Sequence, residues 1–328
     1  MSILRIATSP AELTTFGGTY SQDTTKHDPE RTQGAFRHQV LELSTLNFPE
    51  SSGDTTWVHF DHAIVRDESN FQFWTGSVLE IKDVTDKRIV VISMVPTMQW
   101  TAQADTGSST GIATQQVLSD GTLISVDLKI VVGATIELEV YFNSAFQGSV
   151  TVDNTQNAGN PDRVQFGIYD DNIGSADIGQ AWFGEFIIAD EDTRGFRLRE
   201  LTPQSFGVFQ QWDGTVSGVT DASLATGVST DVADERVSFG LDNLDNVGSG
   251  DIVNRIVAQS YAQRGASGLT AMNHFFRYDD TTIQDGPDIS LDLTGGWYVD
   301  EYTTNPKTAL PWTPADLAGL QLGVRART

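Results

Sequence analysis

Along TIELEVYF (135–142), Ile136, Leu138, Val140 and Phe142 alternate with polar neighbours that include Glu137 and Glu139. Strict period two over eight residues predicts a strand with one buried and one wet face. LISVDLKIVV (123–132) precedes it across Val132, Gly133 and Ala134, a connection short enough to make the two a hairpin. VLEIKD (78–83), RIVVISMVP (88–96) and AWFGEFIIAD (181–190) read as further strands, with 143–148 as a hairpin loop after Phe142. A Gly/Asp-rich loop follows VQFGIYDD, and GFRLRELTP (195–203) reads as the last strand before Pro203 opens a new turn-rich pattern.

A second series follows: FGVFQQW (206–212), RVSFGLDNL (236–244), IVNRIVAQSYAQR (252–264), MNHFFRYDD (272–280), GWYVDEYTT (296–304) and LQLGVRA (320–326). IVNRIVAQSYAQR also fits an amphipathic helix with Ile252, Ile256 and Gln259 on one stripe. Ile252, Asn254, Ile256, Ala258, Ser260 and Ala262 alternate as well, and strand is the preferred reading. One short helix is expected near the end. Thr313 is a good N-cap, Pro314 fits the first helical position, Asp316 suits the positive end of the helix dipole, and Gly319 terminates it. Trp312 and Leu317 would be its apolar contacts. The prediction is all-β: two antiparallel β-sandwich, jelly-roll-like domains, 1–202 and 203–328, with one short C-terminal helix and no solenoid repeat.

Composition changes this picture mainly by exclusion. The 328 residues carry 44 acidic against 20 basic side chains, a formal net charge of -24, and both halves are acidic. Nucleic acid and anionic membranes are therefore poor partners, since each needs clustered Lys and Arg to displace counterions. There is no cysteine, which removes disulfides, thiolate metal sites and thiol catalysis. The start, MSILRIATSPAEL, lacks a long apolar secretory core, and no stretch approaches a membrane span, so synthesis in a cytoplasm is expected.

Candidate chemistry is sparse. In WVHFDHAIVRD, His59 and His62 with Asp61 suggest a metal cluster, but on a strand His59 and Asp61 face one side and His62 the other. Without a bulge the three cannot meet at one ion, so no metal site is assigned. The acidic loops 169–177 and 242–251 offer oxygen ligands without a full calcium-loop register, and read as solvated turns. Paired carboxylates for glycoside hydrolysis would have to come from Glu137 with Glu139, or Glu185 with Asp190, and both pairs read as ordinary strand residues. No nucleophile motif, phosphate loop or dinucleotide fingerprint occurs, so no catalytic residue and no cofactor is assigned. Trp74, Trp100, Trp182 and Trp212 are candidates for sugar stacking, with burial in the core the preferred reading.

WVHFDHAIVRD, SVLEIKDVTDKRIVVISM, LISVDLKIVVGATIELEVYFNSAFQGSVTV and QAWFGEFIIADEDTRGFRLREL together resemble the strand succession of concanavalin A-like, laminin G-like jelly rolls. That family's calcium and sugar ligands find no residue-by-residue match. GWYVDEYTTNPKTALPWTPADLAGLQLGVRA resembles the C-terminal module of tailed-bacteriophage virion structural proteins. The two resemblances imply a non-enzymatic virion component, a capsid decoration protein or part of the tail or tail fibre, assembled in the host cytoplasm. Expected partners are major capsid or tail proteins and further copies of the chain. The alternative they imply is a receptor-recognition protein that binds a host-surface glycan, with a glycan-degrading hydrolase behind it.

Overall fold

The computed structural model describes residues 3–7, 13–16, 21–23, 25–26, 35–38, 43–65, 76–94, 99–104, 111–116, 119, 121–169, 180–220, 225–242, 247–248, 250–266 and 268–328. The protein is all-β, built of antiparallel sheets in two compact units, Met1–Leu198 and Arg199–Thr328.

The first unit contains β1 (Ile3–Ala7), β2 (Thr14–Phe16), β3 (Ser21–Asp23), β4 (Ala35–His38), β5 (Leu43–Asn47), β6 (Thr55–Val65), β7 (Gly76–Asp83) and β8 (Arg88–Met94). It continues with β9 (Trp100–Ala104), β10 (Gly111–Ala113), β11 (Ile124–Val132), β12 (Thr135–Phe142), β13 (Ala145–Asp153), β14 (Pro161–Tyr169) and β15 (Gln180–Ala189). One sheet runs β13-β12-β11-β6-β15-β4-β3, with β1 also on β15, and the other runs β10-β9-β8-β7-β14-β5-β2. Aromatic rings fill the space between them: Phe166 and Phe186 stand 4.5 Å apart, Phe60 and Phe186 5.4 Å, Trp100 and Phe142 5.2 Å.

The β11–β12 hairpin closes at Val132↔Ile136, and the apolar residues of TIELEVYF enter the core as their alternation predicts. The expected 143–148 loop is shorter than its composition suggests. Asn143 (φ 48°) and Ser144 (φ 65°) alone make the turn, because a two-residue hairpin needs left-handed backbone, which Asn tolerates. GFRLREL is not a strand. Phe196 N–H closes a turn on the Thr193 carbonyl, and Leu198 N–H donates to the Glu185 side chain (2.7 Å), so these two donors are satisfied without a ladder.

The second unit contains β16 (Pro203–Gln210), β17 (Arg236–Leu241), β18 (Ile256–Ala262), β19 (Ala271–Arg277), β20 (Ile283–Asp285), β21 (Ile289–Ser290), β22 (Gly296–Tyr302) and β23 (Gln321–Arg327). A sheet of order β16-β17-β23-β19-β20, with β21 on β19, faces a two-stranded ribbon, β18-β22. IVNRIVAQSYAQR is therefore strand, over its second half. The expected helix is a single 3-10 turn, Pro314–Leu317. Asp316 accepts both the N–H (2.8 Å) and the hydroxyl (2.7 Å) of Thr313, but Ala318 has already left helical geometry and Gly319 turns at φ 67°. Trp312 and Leu317 pack with Phe276, Tyr278 and Leu320.

Candidate functional site

In the first unit, strand alternation on β6 sends Phe60 and His62 into the core and Trp57, His59 and Asp61 to the outer face of the eight-stranded sheet. The His62 ring lies 4.7 Å from that of Phe183, tilted 45°, and burial pushes its imidazole down to about 3, partly countered by its contact with the Trp182 carbonyl. On the neighbouring strand β11, Ser125 pairs with Asp61 and Asp127 with His59, which puts all four side chains on that outer face. β15 joins them through a bulge between Gly184 and Ile187. Glu185 sits there at φ 51°, a left-handed conformation uncommon for a side chain other than Gly, Asn or Asp.

The outcome is a closed polar cluster. Asp127 Oδ1 accepts from His59 Nδ1 (2.9 Å) and Thr193 Oγ1 (2.7 Å), and Ser125 Oγ donates to Asp61 Oδ1 (2.7 Å). His59 Nε2 stands 4.0 Å from Glu185 Oε1. His59, Asp61, Asp127 and Glu185 are all at most 5% exposed. The 190–198 segment lies over them, tied down at Thr193 and Leu198, with the Arg194 guanidinium 4.5 Å above the Tyr141 ring and 5.4 Å from Trp57. His59 and Asp61 do share a face, as the sequence predicts. Asp127 carries no signal in the sequence, and Glu185, which the sequence pairs with Asp190, instead joins His59 and Asp61. A Glu directly after Gly inside an apolar run is the signal that marks the bulge.

In the second unit the ribbon has two faces of different character. Inward, Ser260 Oγ lies 2.9 Å from His274 Nε2, and His274 Nδ1 lies 2.7 Å from Asp300 Oδ2. That serine–histidine–carboxylate line joins β18, β19 and β22, a nucleophile–base pairing that motif reading passed over because the three residues are far apart in sequence. Ser260 is paired to Tyr298 in the middle of a regular strand, and His274 is fully buried, so the line bridges the two layers as an internal hydrogen-bond chain.

Outward, Tyr261 and Trp297 face each other in register, rings 5.2 Å apart and tilted 45°, with Tyr261 36% exposed. On the same face follow Gln259 opposite Val299 and Val257 opposite Glu301, whose carboxylate pairs with Arg255. Alternation makes this an aromatic platform with polar side chains beside it.

The tryptophans named from sequence sit elsewhere. Trp100 and Trp182 are buried, Trp212 is half-buried with its Nε1–H on the Glu235 carbonyl (3.2 Å), and Trp74 lies outside the described residues. Trp297, in a strand with every residue half-buried, was overlooked. Glu137 is exposed and Glu139 bonds Lys129 (2.8 Å) and Tyr141. Most of the 169–177 loop and part of the 242–251 loop fall outside the described residues. Asp242 accepts from Thr202 and Gln204.

No family model matches the chain, and no curated protein sequence matches it. Among solved structures, one titled "Cell entry of botulinum neurotoxin type C is dependent upon interaction with two ganglioside molecules" aligns at TM-score 0.43 and 9% identity. The alignment covers 97% of this chain and 93% of that one. The botulinum neurotoxin serotype C1 binding domain aligns at TM-score 0.41 and 7% identity over 97% and 94%. An endo-beta-1,4-glucuronan lyase from Trichoderma reesei aligns at TM-score 0.39 and 12% identity, over 53% of this chain and 87% of that one. Likenesses of this size carry no argument about activity.

Proposed function

We propose that this chain is a non-enzymatic recognition protein that binds a carbohydrate on a cell surface through the outer face of the β18–β22 ribbon, and that it does so as part of a tailed-phage particle. The observation that carries the binding role is the Tyr261–Trp297 pair. Two rings held side by side on a strand ribbon present an apolar surface to the C–H face of a pyranose, at little entropic cost because each has only two side-chain torsions. Gln259 lies two residues along the same ribbon face, beside an adjoining sugar, and the largely buried Arg255–Glu301 pair closes the strip four residues along. The particle setting rests on the resemblance of the C-terminal module and accords with an acidic, cysteine-free chain.

The test is a glycan array followed by titration of the best sugar into wild type and Trp297→Ala. The reading expects selective binding, at least tenfold weaker in the variant, with the ligand recovered intact. Cleaved ligand would replace recognition with catalysis.

One observation favours a second reading. The Ser260–His274–Asp300 distances suit acyl transfer, with Ser260 as nucleophile and His274 as base. Covalent labelling of Ser260 by a fluorophosphonate, lost in His274→Gln, would establish it. No labelling is expected, because the hydroxyl points between the sheets.

A further inference from the structure

The outer cluster of the first unit contains a contradiction that a cation resolves. Asp127 is a carboxylate and only accepts, so the His59 Nδ1 contact fixes the proton on Nδ1 and leaves Nε2 as a bare lone pair. Nε2 is fully buried and has no hydrogen-bond partner. Its neighbours are acceptors too: one ligand atom from each of His59, Asp61 and Glu185 lies within 4.8 Å of the other two. Protonating Nε2 would not repair this, since 4.0 Å to Glu185 Oε1 is beyond hydrogen-bond range. An imidazole lone pair and two carboxylates gathered this closely is the arrangement of a metal site.

We propose that His59, Asp61 and Glu185 hold one divalent first-row transition cation, with Asp127 as the residue that orients the His59 ring. Donors about 2.1 Å from an ion stand roughly 3.0–4.2 Å from one another, so His59 Nε2 and Glu185 Oε1, 4.0 Å apart, are already spaced for it, and an Asp61 oxygen lies within 4.8 Å of both. The donor set selects the ion. One imidazole with two carboxylates suits zinc or manganese and is too nitrogen-rich for the oxygen cages that calcium takes. The surroundings have the pattern of a built site: the ligating histidine gives its other N–H to a carboxylate, Asp127, which Thr193 also anchors. Ser125 orients Asp61, and the Leu198 N–H orients Glu185. The left-handed backbone at Glu185 also acquires a purpose, because the bulge turns the carboxylate towards His59 and Asp61. Burial under the 190–198 segment makes the role structural: the ion would pin that segment to the sheet.

The experiment uses the full chain, stripped with EDTA and titrated with zinc by calorimetry. One equivalent is expected to bind, at least 100-fold more weakly in Glu185→Gln and 10–100-fold more weakly in Asp127→Asn. Zinc should also raise the melting temperature of wild type and not of Glu185→Gln. Cobalt(II) supplies a check that needs no variant: intense visible d–d bands at one equivalent mark a four- or five-coordinate protein site. No stoichiometric zinc binding, weak hexaaqua-like cobalt bands, or zinc affinity unchanged in folded Glu185→Gln would each overturn the proposal.

Discussion

The two units differ in where most of their titratable and charged groups stand, although each buries at least one histidine. The first has a broad aromatic core with histidines placed directly in it. His62 lies among Phe60, Trp100 and Phe183, and His38 packs edge-on to Phe166 and Phe183 with its Nε2 on Ser44 Oγ (2.8 Å). The second has a small core around Phe276, Tyr278 and Trp312 and is laced on the other face of its larger sheet by ions. Arg236 and Arg325 share Asp285, Arg325 and Arg327 share Asp234, and Arg327 also reaches Asp288. A dry core makes protonation costly, whereas a wet ion ladder is indifferent to mild acid and sensitive to salt.

The largest effect expected from this contrast is a core truncation in the first unit. Phe60→Ala removes a fully buried ring touching Trp100, Phe183 and Phe186, and should destabilise by about 3–5 kcal/mol, read as lost hydrogen-exchange protection in β6 and β15 peptides.

Acid acts on the same core with an effect of comparable size. Burial lowers His38 to about 4 and His62 to about 3, while both bind protons near 6.5 when unfolded. Their contribution is complete above pH 6.5 and is lost as pH falls towards those folded values, on the order of 3 kcal/mol for each by pH 4. In the second unit the Arg327 guanidinium holds Asp234 and Asp288 below the ordinary carboxylate range, and Lys307 holds Asp280 at about 2. Those groups keep their charge through the same window and surrender it only in stronger acid. Peptide-resolved exchange at pH 7 and pH 4 should show β6 and β15 losing protection before β23. The reverse order would break the comparison.

A smaller loss is expected from Asn305→Ala. Asn305 is fully buried in the Asn-Pro turn, and its side-chain oxygen accepts from Tyr278 (2.6 Å) and the Lys307 N–H (2.9 Å), so about 1–3 kcal/mol should go, confined to the second unit. Smallest of all is the salt effect. Raising sodium chloride from 0.1 to 1 M screens the Arg–Asp ladder and should cost the second unit about 1 kcal/mol or less, with no matching loss in β6.

The fold class was legible because period-two patterning is a local property, clear in TIELEVYF and in RVSFGLDNL. Boundaries were less so. GFRLREL has the composition of a strand, yet the N–H groups of Phe196 and Leu198 go to a turn and a side chain, which no periodicity reveals. The sites were hardest, for one physical reason: they are cross-strand objects. His59 meets Glu185, 126 residues further along the sequence, through a bulge on β15, and Trp297 meets Tyr261 only because β18 and β22 pair in one register. Sequence placed His59 and Asp61 on a common face but could not say what stood opposite.

The most direct test of the central claim is saturation-transfer NMR on the full chain with the best array-selected oligosaccharide, comparing wild type with Trp297→Ala and Tyr261→Ala. The account predicts transfer to the ring protons of one pyranose, lost in both variants while amide dispersion is unchanged. Equal transfer in wild type and both variants would place recognition elsewhere and contradict it.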